Sequence, residues 1–310
     1  MSGAPARLAP PSQAAADDPL GAAAWMAAAL LCFSAMAVAA REAAAELDTF
    51  EVMAWRSLVA IVITLAALTL VGRLAQVRAR RLGLHALRNI AHFIGQNFWL
   101  YAVAVIPLAQ LFAYEFTFPI WVLVLAPLVL GERFTRARAL SAAIGFGGIL
   151  IVAQPWAGGG ASGFGVGQIA ALGAAVGFAF NVMLTKMLSR TETTASILVF
   201  MSLMQGAMGF AAAGWDGDVA VPSQDALPWV VAIAACGLGA HWSLASALAL
   251  APATVVAPME FLRLPLIAVV GMVLYGEPLE IAVMAGAAVV FGANLLNLRA
   301  ERRAARAQAA

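Results

Sequence analysis

The chain has 310 residues, 63% of them apolar and 11% charged, with a mean hydropathy of +0.91. A soluble domain runs near 45–50% apolar and about 25% charged, so this composition excludes a soluble enzyme, a nucleic-acid-binding domain and a disordered chain. The net charge of +2 says little in total; the placement of the charges says more.

Residues 1–20 are rich in Ala, Pro and Ser, carry Asp17-Asp18, and read as a disordered tail. Ten apolar runs follow, at 22–40, 51–71, 87–105, 108–130, 137–153, 167–187, 195–214, 228–249, 253–275 and 280–298. A spanning helix needs roughly 20 residues, and barrel strands are shorter and alternate in polarity. The expectation is an all-α membrane protein with ten transmembrane helices. The first run ends in Ala37-Val38-Ala39-Ala40, which resembles a signal-peptidase site. Arg7 alone leads it and two acids intervene, so the run is expected to stay as a span. Cys32 and Cys236 sit in apolar runs without CxxC spacing and read as small hydrophobes; no metal site and no cofactor are expected.

Lys and Arg favour the cytoplasmic side of a membrane. With both termini inside, the inner segments hold 15 of the 18 basic residues: Arg7; Arg73, Arg78, Arg80, Arg81 and Arg88; Arg133, Arg136 and Arg138; Lys186 and Arg190; Arg299, Arg302, Arg303 and Arg306. The outer segments hold Arg41 and Arg56 among mostly acidic residues, and Arg263 falls inside a span. This predicts a multi-pass protein of a bacterial-type inner membrane with cytoplasmic termini.

Several landmarks recur. Pro107, Glu115, Gly131-Glu132 and Phe146-Gly147 reappear as Pro252, Glu260, Gly276-Glu277 and Phe291-Gly292, each 145 positions on. The same offset pairs Arg41 with Lys186. Each half then has five spans, and an odd number makes the second half enter from the opposite side. The expected architecture is two inverted-topology repeats, the plan of many secondary transporters. The expected boundaries are a tail at 1–20, a first repeat at 21–154, a Gly-rich linker at 155–166, a second repeat at 167–298 and a basic tail at 299–310.

These residues carry a resemblance. The stretch from Glu115 through Pro119 to Gly131-Glu132-Arg133, then Gly145-Phe146-Gly147-Gly148-Ile149-Leu150-Ile151-Val152, is similar to the EamA family of the drug/metabolite transporter superfamily. Glu260, Gly276-Glu277-Pro278 and Phe291-Gly292 resemble its second domain. The resemblance covers roughly residues 20–298. It implies export or movement of amino acids, sugars, riboflavin, S-adenosylmethionine or related metabolites, and selects none of them.

Charge at bilayer depth costs at least a few kcal/mol and usually faces a cavity or a partner. Glu115 and Glu260 each lie about seven residues into a span, roughly 10 Å deep and symmetric about the midplane. They read either as cavity carboxylates that bind an amine or a proton, or as structural acceptors. Arg263 follows Glu260 by three residues, where it pairs with that carboxylate or grips a substrate anion. Glu115 has no basic neighbour one turn away and is the expected proton carrier. Arg88, His92 and Gln96 recur every fourth residue with Trp99 beside them, either as a cavity wall or with Arg88 snorkelling to the edge. Gln96 pairs by offset with His241, which Trp242 follows. The expected substrate cavity is thus His92, Gln96, Trp99, Tyr114, Glu115, His241, Trp242, Glu260 and Arg263, with no catalytic residue. A membrane-embedded enzyme is the alternative, but His85, His92 and His241 have no Asp at catalytic spacing and no nucleophile motif beside them. A scaffold is the other, with no loop above about 16 residues to bind a partner. The expected partners are a small molecule and the lipid bilayer.

Overall fold

The structure is a computed structural model, described here for residues 18–130, 136–154, 165–251, 256 and 259–309. Most of the expected N-terminal tail and of the 155–166 linker, the Gly131-Glu132-Arg133 loop, Pro252 and Pro258 lie outside the described residues. Among the described residues there is no strand. The helices are α1 (Pro19–Ala43), α2 (Thr49–Leu70), α3 (Leu82–Val105), α4 (Leu108–Glu115), α5 (Phe118–Leu130), α6 (Arg136–Ala153), α7 (Val166–Leu188), α8 (Thr194–Ala213), α9 (Leu227–Leu250), α10 (Arg263–Tyr275) and α11 (Ile281–Ala309).

Local chemistry starts and stops these helices. Asp48 caps α2 and forms a reciprocal box with Glu51, satisfying two N–H groups that the first turn leaves open. Thr193, 145 positions on, caps α8 through the Ser196 N–H. α10 stops at Gly276, whose φ of 64° is a left-handed conformation that glycine adopts without strain.

Eight helical stretches among the described residues are long and apolar enough to cross a membrane, with α4 and α5 counted together as Leu108–Val129. α3 is 24 residues long but falls outside that set, because Arg88, Asn89, His92, Gln96 and Asn97 dilute its apolar character. α10 is short because the ninth span is broken before it. These two complete the ten expected spans.

The duplication extends to the helix boundaries. The ends Ala43, Val105 and Leu130 recur at Leu188, Leu250 and Tyr275, and the starts Thr49, Leu82, Phe118 and Arg136 recur at Thr194, Leu227, Arg263 and Ile281. Each pair is 145 apart. The packing obeys the same swap. α1 lies mainly on α9 and α3 on α7, which are repeat equivalents, while α2 pairs with α8 and α6 with α11. Every one of these major pairs joins one half to the other. The halves interdigitate rather than sitting side by side.

Small residues let the crossings close. A Cβ on Gly177 would lie 2.6 Å from the Cα of Gly95, so α3 and α7 meet backbone to backbone. A Cβ on Gly286 would lie 2.7 Å from the Gly148 carbonyl at the α6–α11 crossing, and one on Gly209 would lie 2.7 Å from the Ala54 nitrogen at the α2–α8 crossing. Among the described residues, nothing lies within 4 Å of such a Cβ on Gly147. Gly177→Leu should therefore force α3 and α7 apart, cost about 1–3 kcal/mol or more, and cut the yield of folded protein in detergent. Gly147→Ala should leave melting temperature and yield unchanged. Equal behaviour of the two variants would contradict the crossing.

Polar contacts tie the two ends of the bundle. At the end that carries Glu277, the Glu51 carboxylate accepts the Ala220 N–H at 2.7 Å, and Glu46 accepts both the N–H and the hydroxyl of Ser223. Those Ser223 bonds hold the Glu46 carboxyl below its ordinary value. At the opposite end, Glu192 accepts the N–H groups of Arg80 and Arg81 at 2.8 Å each, and the Ser196 hydroxyl accepts that of Arg78. Each half thus fastens a connecting loop of the other. Ala37, Ala39 and Ala40, from the signal-like sequence, pack in the central core.

Candidate functional site

The fourth span of each half is broken at equivalent places. α4 ends at Glu115, residues 116–117 form a turn, and α5 starts at Phe118; Glu260, a turn at 261–262 and α10 repeat this. The Thr117 N–H bonds to the Tyr114 carbonyl and the Leu262 N–H to the Met259 carbonyl, both at 3.0 Å, tighter than α-helical spacing. Pro119 and Pro265 explain the breaks. Neither can donate to the carbonyl four residues back, so the helix cannot continue undisturbed through Glu115 or Phe261. Matched helix breaks near mid-membrane mark binding sites in inverted-repeat transporters.

The breaks bring distant charges together. Arg263 Nη2 donates to Glu115 Oε1 at 2.8 Å, joining α10 to α4 across 148 positions. Trp99 Nε1 donates to Glu115 Oε2 at 2.7 Å. The Arg263 guanidinium also lies 4.6, 4.8 and 4.9 Å from the ring centres of Phe33, Phe112 and Phe116, within cation–π range. Two expectations fail here. Glu115 is not free of a cation. Arg263 hydrogen-bonds to Glu115 rather than to Glu260, because the helix is interrupted between residues 260 and 263, so helical spacing does not apply there.

Glu260 is left without a hydrogen bond to any described side chain and lines a cavity of about 700 Å³. Phe116, Phe118, Val122, Phe261, Arg138 and Lys186 are among the other lining residues. The Phe116 and Phe261 rings are 4.8 Å apart and Phe261 lies 4.2 Å from Phe291, so the breaks carry an aromatic wall.

A second polar group surrounds His92 and His241. His241 lies edge-on to Phe33 of α1, with ring centres 5.5 Å apart, and within electrostatic reach of Arg56, Arg88 and Arg263. His92 interacts with Arg56, Arg88 and His241, and its Nδ1 meets the Gln205 amide. Arg56 Nη2 donates to Gln205 Oε1 at 3.0 Å. Arg88 is buried and donates to Thr185 Oγ1 at 3.2 Å and Asn89 Oδ1 at 3.0 Å. Burial rules out snorkelling for Arg88.

The structure does not bring every expected residue to these groups. Trp242 is 70% exposed, one residue round the helix from His241. Tyr114 is fully buried in the core, its hydroxyl without a hydrogen-bond partner among the described residues, and Gln96 is buried. Of the expected set, Glu260 lines the 700 Å³ cavity, while Trp99, Glu115 and Arg263 form the ion-pair group. Sequence reading missed Arg56, which it assigned to an outer segment, and Phe33, which carries no polar signal. Position 56 is eight residues into α2, about 10 Å from its start, and that spacing was the available clue.

The Glu277 end carries a compact network. Arg41 donates to Glu277 and to the carbonyls of Val103 and Ile106, and its guanidinium lies 4.8 Å from the Tyr275 ring centre. Glu277 Oε2 accepts the Leu108 N–H at 2.8 Å, capping α4, and Tyr275 donates to Glu42 at 2.7 Å. Lys186, the repeat counterpart of Arg41, lines the cavity near the other end.

The profile of the EamA-like transporter family matches residues 20–154 and 165–299. The chain belongs to the EamA-like transporter family. It is 30% identical over 249 residues to a riboflavin transporter of Brucella anthropi, covering 79% of this chain and 86% of that one. It is 28% identical to a riboflavin transporter of Vibrio cholerae, covering 88% and 91%. An S-adenosylmethionine uptake transporter of Rickettsia bellii is 23% identical, covering 90% and 94%. A crystal structure shares the fold with a TM-score of 0.61 at 18% identity, covering 92% of this chain and 98% of that one. The protein is a small-metabolite secondary transporter and a multi-pass inner-membrane protein.

Proposed function

We propose that this transporter carries a heteroaromatic metabolite of the flavin or nucleoside type through the space between its repeats, by alternating access. The observation that carries this reading is the aromatic wall at the helix breaks: Phe116 and Phe261, packed against each other, line a cavity of about 700 Å³ together with Phe118 and the carboxylate of Glu260, and Phe291 packs on Phe261. That volume suits a ring system of drug-like size, and such a ring stacks on aromatic side chains. Riboflavin and S-adenosylmethionine, named for the relatives, both carry a planar heterocycle.

Glu260 is the carboxylate placed to carry a coupling proton, since Glu115 is already committed to Arg263 and Trp99. The distribution of Lys and Arg orients both termini toward the cytoplasm. The repeats occupy 21–154 and 167–298, and transport without chemical conversion is the activity.

Uptake of labelled riboflavin into proteoliposomes tests the reading, with S-adenosylmethionine and a panel of amino acids as competitors. Saturable uptake, inhibited by the heterocycles and not by aliphatic amino acids, is expected. Glu260→Gln should lose concentrative uptake and its pH dependence while retaining exchange. Uptake blocked only by amino acids would overturn the substrate class, and an unchanged pH profile in Glu260→Gln would remove Glu260 from coupling.

A further inference from the structure

Arg56 and Arg88 present an electrostatic imbalance that the Glu260 cavity does not absorb. Both guanidiniums lie within spans, and among the described residues their hydrogen-bond partners are neutral: Gln205 and the Met53 sulfur for Arg56, Thr185 and Asn89 for Arg88. Arg263, by contrast, has its carboxylate. A cation at bilayer depth is retained where it meets an opposite charge or lines a watered space. Here two cations converge on two imidazoles. His92 and His241 each lie within electrostatic reach of both Arg56 and Arg88, and they bring α2, α3 and α9 to one locus.

Part of that locus is accessible: His241 is exposed and His92 and Arg56 are half-buried, while Arg88 is buried one turn along α3 from His92. His241 packs edge-on against Phe33 of α1 and lies within electrostatic reach of Arg56, Arg88 and Arg263. Gln205 bridges Arg56 to His92, so the donors are held in place before any ligand arrives. Guanidinium forks match the oxygens of carboxylates and phosphates, and low surrounding dielectric strengthens that attraction.

We infer that Arg56 and Arg88, flanked by His92 and His241, form an oxyanion subsite that receives a carboxylate or phosphate carried by the transported molecule. The inference deepens the heteroaromatic reading and rests on it for the rest of the cargo: the ring lies against the phenylalanines and the anionic tail reaches the arginines. It sets a preference within the class. Riboflavin is neutral near pH 7, whereas riboflavin 5′-phosphate carries the group the subsite takes.

The test uses the purified full-length protein. Its melting temperature is measured in sodium phosphate, sodium acetate and sodium chloride at matched ionic strength. Phosphate or acetate should raise it above the chloride value, and which of them does so identifies the oxyanion. The increment should vanish in Arg56→Gln and in Arg88→Gln and return in part in Arg56→Lys. In the wild-type protein, riboflavin 5′-phosphate should compete for labelled-flavin binding about tenfold more strongly than riboflavin, the advantage of a charge-assisted pair. No oxyanion-specific increment together with equal competition by both flavins overturns the subsite and leaves the heteroaromatic reading standing. Phosphate protection lost in the arginine variants, with neither flavin binding, upholds the subsite and overturns the heteroaromatic reading. Protection that persists undiminished in both glutamine variants overturns the assignment to these arginines. The wild-type measurements stand alone where a variant fails to fold.

Discussion

Arg41→Ala should open the Glu277 end of the bundle. The Arg41 side chain is only 14% exposed and joins α1 to the carbonyls at the end of α3 and to Glu277 after α10. Glu277 in turn holds the first N–H of α4. Removing the cation leaves a mostly buried carboxylate and two carbonyls without their donor, a change that costs about 3–5 kcal/mol when a buried pair is broken. The network joins four helices, so the loss is concentrated at one end. A cysteine at Ile106, buried in the wild type, reports on it in a background where Cys32 and Cys236 are alanine. Labelling by a membrane-impermeant maleimide should be slow with Arg41 present and at least about tenfold faster in the Arg41→Ala variant. The melting temperature should fall as well. Unchanged labelling and unchanged melting would show that the network does not hold this end shut.

Glu115→Gln should have the second large effect. It leaves the Arg263 guanidinium at mid-membrane without its hydrogen-bonded carboxylate, held by aromatic faces and the more distant charge of Glu260, a loss of up to about 3–5 kcal/mol. Trp99 can still donate to the amide oxygen, so the damage lies with the arginine. The expected result is low yield, a depressed melting temperature and no measurable transport. A double variant, Glu115→Gln with Arg263→Met, separates structure from mechanism. It removes the stranded charge and should recover much of the lost stability, a coupling that a double-mutant cycle reads directly. Transport should not return, because α4 and α10 lose the charge pair that joins the two breaks. Normal transport by the single variant would place the pair outside the mechanism.

The span pattern was legible because lipid imposes a simple rule: every backbone group must bond within the helix, so a spanning segment must be a long apolar run. α3 passed that reading by its flanks although its polar stripe lowers its hydropathy. The two helix breaks were not foreseen. Pro119 and Pro265 were visible, but proline in a span bends, breaks or is absorbed according to what packs beside it. The carboxylates Glu115 and Glu260 were found by the 145-residue offset, an argument from symmetry that needs no contacts.

Partner choice was beyond that reach. Helical spacing put Arg263 beside Glu260, but a helix must be continuous for spacing to predict contact, and this one is interrupted there. Arg56 looked like an end-of-span charge until Gln205 and His92, from α8 and α3, closed around it. Trp242 was placed by adjacency to His241, yet successive residues on a helix point about 100° apart, and it is exposed.

The sequence by itself determined the all-helical membrane class and the ten spans, because composition and hydropathy are properties of each segment alone; the duplication was legible in the 145-residue offset, and the family in the resemblance that its Gly-Glu and Phe-Gly landmarks carry. Only the tertiary structure decided which helices from opposite halves interleave, that Glu115 rather than Glu260 takes Arg263, and that Arg41 pairs with Glu277. Those outcomes depend on close approach. Gly95 against Gly177 and Gly148 against Gly286 set how near the helices come, and the reach of a guanidinium then selects among carboxylates 148 or 236 positions away.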